Sequence, residues 1–389
     1  MGVTYEHILG ERQQFFVNAE GTAFTFAKPA AGDAMAVLTS SMNPGGPKRK
    51  DRRDAYQASR DTIERITGKT ERSWSVDSYY VPSGTKNVAP DCGAFLEAMF
   101  GTETVGSNDV TYSQSSSQTL KTLTLVRFWQ SWFMEAMWGA IPEMMSLKAT
   151  GGDEPKIHFE GRAKGYAATG FSTLNGAVVA SSTVIVQTAD AQAFNENSVI
   201  QCGDQDNSGA GYQVTDASST PSLTVETTLS EDNGEAVIPF VPTWTDAGVP
   251  ITSISSTSSI TWDSLSLVDV LTGFELTVKA NNRYYDNLAF SQHMPDAAPG
   301  FFDITGKLDL LLRKDTLIKI LDRRAFATKA VAVVMGGAAQ SGTRLEIDLG
   351  QCELDFSEVS VPEEGEASIS LPFKALGSSG NDAITWKHT

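Results

Sequence analysis

Few residues in this 389-residue chain are of the kinds that carry covalent or redox chemistry. It has three cysteines, Cys92, Cys202 and Cys352. Their number is odd and no C-x-x-C pair occurs, which excludes a disulfide framework and the common zinc patterns. Its four histidines, His7, His158, His293 and His388, lie far apart, and none belongs to a ligand-spaced group such as H-E-x-x-H. Each is read as structural or superficial. Long apolar runs are missing as well. The segment 331–335 is typical, against the roughly 18 residues a spanning helix needs. Residues 1–7 show no basic region followed by an apolar stretch, so a chain made and assembled in a cytoplasm is expected.

The most informative absence is of positive charge. Between Lys164 and Lys279 no Lys or Arg occurs, while thirteen acids do, from Asp190 to Glu275. The whole chain carries 30 − 47 = −17, so the remainder carries only 30 − 34 = −4. A stretch so different in composition reads as an inserted acidic module, placed at 175–250, between a first domain at 1–174 and a second at 251–389. Its short alternating runs around Val184, Val199, Tyr212, Val225 and Val237 suggest a small all-β barrel or Ig-like fold. An acidic chain is also a poor ligand for nucleic-acid phosphates, which need Lys and Arg to displace their counterions.

Catalytic signatures fail one by one. Lys69-Thr70 after Gly68 resembles the end of a phosphate loop, but Ile63 stands where the motif needs its first glycine. Asp204-x-Asp206-x-Ser208-Gly209 begins like a calcium loop, but its twelfth position is Thr215, which lacks the bidentate carboxylate. No G-x-S-x-G elbow is present. No enzyme activity, cofactor or metal site is expected.

What the sequence does contain is β structure. Segments 23–26, 121–128, 183–187, 274–278, 307–312, 330–334, 345–349 and 367–371 read as strands, with turn clusters at 151–153, 206–209, 232–234 and 363–365 between many of them. Two helices are expected, one after Asp91 that stops at Gly101 and one after Asp315. Ile66-Thr67-Gly68-Lys69 recurs as Ile304-Thr305-Gly306-Lys307. The order of strand, long loop, ITGK strand, helix, strand and hairpin appears on both sides of the acidic stretch, which indicates a duplicated domain. The single basic run, Lys48, Arg49, Lys50, Arg52 and Arg53, follows the turn-forming residues 43–47 and reads as a long loop that meets an acidic surface, such as another copy of this protein. Trp129, Trp132 and Trp138, interleaved with Phe and Met, read as core or a buried subunit contact, with a sugar-binding platform as the alternative.

This order of features resembles the bacteriophage tail tube proteins, the major tail proteins of long-tailed phages (siphoviruses). The resemblance rests on residues 274–278 with Asn281-Asn282, on 303–310, on 367–376 and on 382–384 in the C-terminal part. In the N-terminal part it rests on the basic loop, the ITGK strand and residues 95–101. It implies two tandem tube domains of β-sandwich or barrel type, each with a short helix, and a homotrimeric ring of pseudo-sixfold symmetry, or else a hexamer. Such rings stack into a virion tail tube, assembled in the host cytoplasm, through which DNA is ejected without specific binding. The partners so implied are further copies of the chain, a tape measure protein, a tail terminator and a distal tail protein, with no membrane. Lys48, Arg49, Lys50, Arg52 and Arg53 are then candidates for contacts between rings, and the acidic module decorates the outer wall. A distal tail or baseplate ring protein, or a carbohydrate-binding adhesin, are the alternatives.

Overall fold

In the computed structural model, residues 13–51, 65–117, 119–245, 248–252, 258–263, 265–284, 297–314, 328–355, 359–360 and 366–389 are described, with side chains described outside 47–69 and 359–360. The segment Lys156–Ala163 shows the rule that builds the molecule. Ile157, Phe159, Gly161 and Ala163 are buried, while Lys156, His158, Glu160 and Arg162 lie on the opposite face, the two-residue period of a half-buried strand.

The first half of the chain contains β1 (Gln13–Ala19), β2 (Ala34–Met35), β3 (Thr39–Asn43), β4 (Pro47–Asp51), β5 (Arg65–Thr70) and β6 (Arg72–Tyr79). Helix α1 (Gly93–Phe100) follows, then β7 (Gly101–Val105), β8 (Val110–Gln114), β9 (Leu123–Trp129), β10 (Phe133–Thr150), β11 (Lys156–Ala163) and β12 (Gly165–Thr169). The middle contains β13 (Ser172–Thr173), β14 (Val178–Ile185), β15 (Val199–Cys202), β16 (Tyr212–Asp216), β17 (Ser222–Glu231) and β18 (Ala236–Pro239). The second half contains β19 (Ser259–Trp262), β20 (Leu265–Ser266), β21 (Leu271–Lys279), β22 (Arg283–Tyr284), β23 (Ala297–Ala298) and β24 (Asp303–Leu311). It ends with β25 (Lys329–Gly336), β26 (Arg344–Leu354), β27 (Val359–Ser360), β28 (Ser368–Leu376) and β29 (Thr385–His388). The protein is mainly β, as the sequence suggests, and every named pairing is antiparallel.

The two halves pair their strands in the same order. In the first, an inner sheet runs β3, β6, β11, β10; in the second, it runs β21, β24, β28, β26. Strand β10 then pairs with β21 over Met144–Thr150, so the two sets of four form one continuous eight-stranded sheet. Behind it, β1, β9, β10 and β12 form an outer sheet in the first half, matched by β19, β25, β26 and β29 in the second. In each half one long strand serves both sheets. The last outer pairs are Trp138 with Gly165 and Asp348 with Thr385, and the first inner pairs are Ile141 with Arg162 and Gln351 with Leu376. At this crossing Gly139 takes φ 59°, where a side chain would press on the Phe24 ring. Moving across the first half, the paired residues are Ser41, Ser75, Glu160, Met144 and then Lys279, whereas the position matching Ser41 is Thr277. Crossing one half therefore displaces the register by two residues.

One hydrophobic core underlies both halves, from Phe15 and Trp74 to Leu371 and Trp386. Phe100 at the end of α1 faces Phe302 and Trp386 across the boundary. Strand β29 pairs with β8 of the first half, Trp386 opposite Tyr112. The expected stop of α1 at Gly101 is present, with φ 88° and a C-terminal capping bond to Glu97. Cys92, however, holds the N-cap position, because the Asp91 carboxylate accepts the Ala36 amide instead. The helix expected after Asp315 and the turn at 363–365 lie outside the described residues.

The middle module is a barrel. Its strands run β13, β18, β15, β16, β17, β14, and a bridge from Leu174 to Val186 joins the two ends. It has its own core around Leu174, Val184, Ile200 and Leu223. Its first strand is Ser172–Thr173, and it is anchored rather than pendant. Val199, Phe240 and Trp244 pack with Phe16, Phe128 and Met134 on the back of the outer sheet.

Two sequence readings are corrected. Segment 23–26 is not a strand, because Phe24 has φ 64° and the Phe24 and Ala27 amides bond to the Thr122 and Thr124 hydroxyls. The two ITGK segments are not counterparts either. The first lies in β5, part of a two-stranded arm with β4, whereas the second lies in β24 of the inner sheet. The counterpart of β24 is β6.

Candidate functional site

The exposed face of the eight-stranded sheet is covered by polar and charged side chains. On this face stand seven acids, Asp77, Glu143, Glu160, Glu275, Asp303, Asp309 and Glu353, against six bases, Lys148, Lys156, Arg162, Lys279, Lys307 and Lys374. Four of those bases lie in ion pairs or close to them. Lys307 lies 3.5 Å from both Glu275 and Asp309, Lys374 lies 2.8 Å from Asp303, and Arg162 lies 3.2 Å from Glu143. Lys148 sits opposite Glu275 across the seam between the halves. Asp309, followed by Glu275, raises the Lys307 pKa, and Asp303 raises that of Lys374. Burial alone would push the Asp77 carboxyl up, but hydrogen bonds from Thr39 and His158 outweigh it and leave it below the usual range. The face as a whole is close to neutral, and three of its six cations, Arg162, Lys307 and Lys374, are held in ion pairs.

The edges of this sheet differ from its interior strands. Among the described residues, β3 pairs with β6 alone, and Glu353 and Leu354 of β26 pair with β28 alone. A strand edge with unpaired backbone groups is a template for another strand. Here the two edges are the two ends of a repeated unit.

The three expected tryptophans do not form one surface. Trp138 packs edge-on to Phe26 at 6.0 Å and covers Gly165, where a Cβ would fall 1.9 Å from its ring. Trp129 is half-buried beneath the Arg127 guanidinium at 4.1 Å and stacks near Phe133 at 5.3 Å. Arg127 is itself held by Glu135 at 2.5 Å, which also accepts the Tyr166 hydroxyl. Trp132 stands at the tip of the β9–β10 turn, 42% exposed, edge-to-face with the 53% exposed Phe171 at 5.3 Å. Trp138 is thus a partly buried residue packed against a core cluster, whereas Trp132 is a surface residue in the turn that precedes β10.

Of the basic candidates, Lys48, Arg49 and Lys50 lie in β4 of the two-stranded arm. Arg52 and Arg53 lie outside the described residues.

The rejected chemistries have local explanations. The Asp206 carboxylate accepts the Gly209 amide, and Glu231 accepts the amides of Asp204 and Gln205, so both serve the turn itself. Among the described residues no three His, Cys, Asp or Glu side chains gather as a metal site. The cysteines are unpaired and buried. Burial pushes Cys202 and Cys352 up to about 12 and Cys92 higher, which keeps them as thiols. Among the described residues no helix is long and apolar enough to cross a membrane. No family model matches the chain, and no curated protein shows significant similarity to it.

Proposed function

We propose that this chain is a virion structural protein that assembles side by side into rings, and that the rings stack into a phage tail tube through which DNA passes. The observation that carries this reading is the eight-stranded inner sheet. Two units of identical pairing order are already joined edge to edge, and the outer edges left over are the same kind of edge that meets within the chain. A further copy can repeat the internal seam, and closure of the ring removes every edge. With two units per chain, three chains complete the six-unit ring implied by the resemblance.

The internal seam also supplies the register. Within the chain Met144 pairs with Lys279 and Met145 with Val278. The equivalent positions are Glu353 with Asn43 and Leu354 with Met42. The burial pattern agrees with this pairing. Met42 is buried and Leu354 packs against the core, while Asn43 and Glu353 are exposed.

In such a ring the near-neutral charged face lines the conduit. DNA binding gains its free energy from cations that neutralise phosphates, and here Lys307, Lys374 and Arg162 are each held by acids. The wall therefore lets the polyanion slide through lack of adhesion rather than through strong repulsion. The chain's net −17 resides largely in the stretch that contains the barrel, on the side away from this face.

Electron microscopy of the purified chain at rising concentration tests the proposal. Stacked rings with threefold symmetry are the expected result. Isolated rings that never stack would favour a distal tail or baseplate component, and a persistent monomer would overturn self-assembly.

A further inference from the structure

We infer that the aromatic turn of the first half, Trp129 to Phe133 with Phe171, docks on Leu311, Leu312, Arg313 and Lys314 of a neighbouring copy of this chain. The inference rests on the side-by-side assembly proposed above and adds a second contact, away from the sheet edges.

The internal repeat shows what this turn is for. In the second half, the connection between β25 and β26 leaves Gly336 and returns at Arg344. Its tip rests on the first half, where the Gly84 amide donates to the Gly342 carbonyl at 2.9 Å. A Cβ on Gly342 would lie 2.2 Å from the Thr85 nitrogen. The contact is thus close and built from backbone and small residues.

The counterpart in the first half is the β9–β10 turn, and among the described residues no backbone hydrogen bond ties its tip to another part of the same chain in that way. Gly336 and Arg344 correspond to Phe128 and Met134. The first-half connection is therefore two residues shorter, 129–133 against 337–343. It compensates in side-chain size. Trp129, Trp132 and Phe133 stand where the longer turn has Gly337, Ala338, Ala339 and Gly342. Trp132 and Phe171 are left 42% and 53% exposed, unlike ordinary core aromatics.

The receiving surface follows from the same correspondence. With β6 matched to β24, Tyr80 corresponds to Leu310, Ser83 to Arg313 and Gly84 to Lys314. Arg313 and Lys314 are exposed, next to the partly buried Leu311 and Leu312. One side of the repeat thus presents the partly exposed Trp132 and Phe171, and the other presents two cations beside aliphatic surface. Cations are attracted to the faces of Trp and Phe, and Trp and Arg are the side chains most enriched among dominant interface contacts.

Sedimentation of the full-length chain gives the concentration at which rings form. Trp132→Ala and Arg313→Glu should each raise it about tenfold, while thermal stability of the monomer stays unchanged because both side chains are at the surface. A mixture of Trp132→Cys chains with Arg313→Cys chains, oxidised after assembly, should give covalent dimers that neither variant gives alone. If the unaltered chain forms rings and both substitutions leave the threshold where it was, or the mixed cysteines give no dimer, the docking inference is overturned and the assembly reading survives. If the unaltered chain never assembles, both are overturned together.

Discussion

His388 and Tyr80 lie 308 residues apart in sequence, yet their side chains meet at 3.3 Å in a site where neither residue has any solvent exposure. The other imidazole nitrogen lies 3.0 Å from the Ser83 hydroxyl. This contact fastens the last strand of the chain to the first half. Burial holds the His388 pKa down at about 4, below the value of about 6.5 it would have unfolded. The unfolded chain therefore binds the extra proton first. Stability contributed by neutral His388 is complete above pH about 6.5 and is lost as the pH falls through about 4, a total of about 3 kcal/mol. Urea unfolding at pH 7 and pH 4.5 should show the loss, and His388→Gln should flatten it. Parallel pH dependence in both proteins would rule this out.

The copy-to-copy register predicts a specific cross-link. In a chain bearing Asn43→Cys and Glu353→Cys, oxidation after assembly should close covalent rings of three chains, visible as a ladder that ends at trimer. Moving the cysteine from Asn43 to Ser40 should abolish the ladder, because a three-residue shift carries the thiol along the strand and turns it to the other face. Equal cross-linking from both positions would refute the register.

In the proposed tube, the basic arm formed by β4 and β5 is the candidate for contact between stacked rings. Replacing Lys48, Arg49, Lys50, Arg52 and Arg53 by Ser should leave ring formation intact while tubes shorten or disappear in electron micrographs. Tubes of normal length would remove this arm from the stacking contact.

Gly165 bears directly on the outer sheet. An added Cβ would fall 1.9 Å from the Trp138 ring, so Gly165→Ala should cost about 1–3 kcal/mol by overpacking. Thermal melts measure this. Pairing it with Trp138→Leu should recover part of the loss, and no recovery would mean that the strain lies elsewhere.

The sequence and the structure agree best where hydrophobic alternation is strong. Segments 121–128, 274–278, 307–312, 330–334, 345–349 and 367–371 all fall within or across strands β9, β21, β24, β25, β26 and β28. Strand β6 gives a weaker alternation signal, because three of its outward residues are Ser73, Ser75 and Asp77 and one buried position is Ser78, whose hydroxyl is satisfied by the Ala36 carbonyl. The repeat is visible as an order of elements, whereas the ITGK tetrapeptide gives a false alignment, since four shared residues carry no information about which sheet they enter. The sequence does not show that the three tryptophans have different surroundings. Nine residues separate Trp129 from Trp138, and an intervening turn together with alternation sends them into different surroundings. The sheet edges left no local mark, because an edge is defined by which distant strand fails to arrive.

The two-residue displacement across each half fixes a pitch. Two residues advance about 6.6 Å along a strand, while four strands span about 19 Å across the sheet. A closed ring built on that offset has strands inclined by about 20° to its axis. The alternating acids and bases on the inner face would then run as shallow, multi-start threads around the bore rather than as straight rails or level hoops.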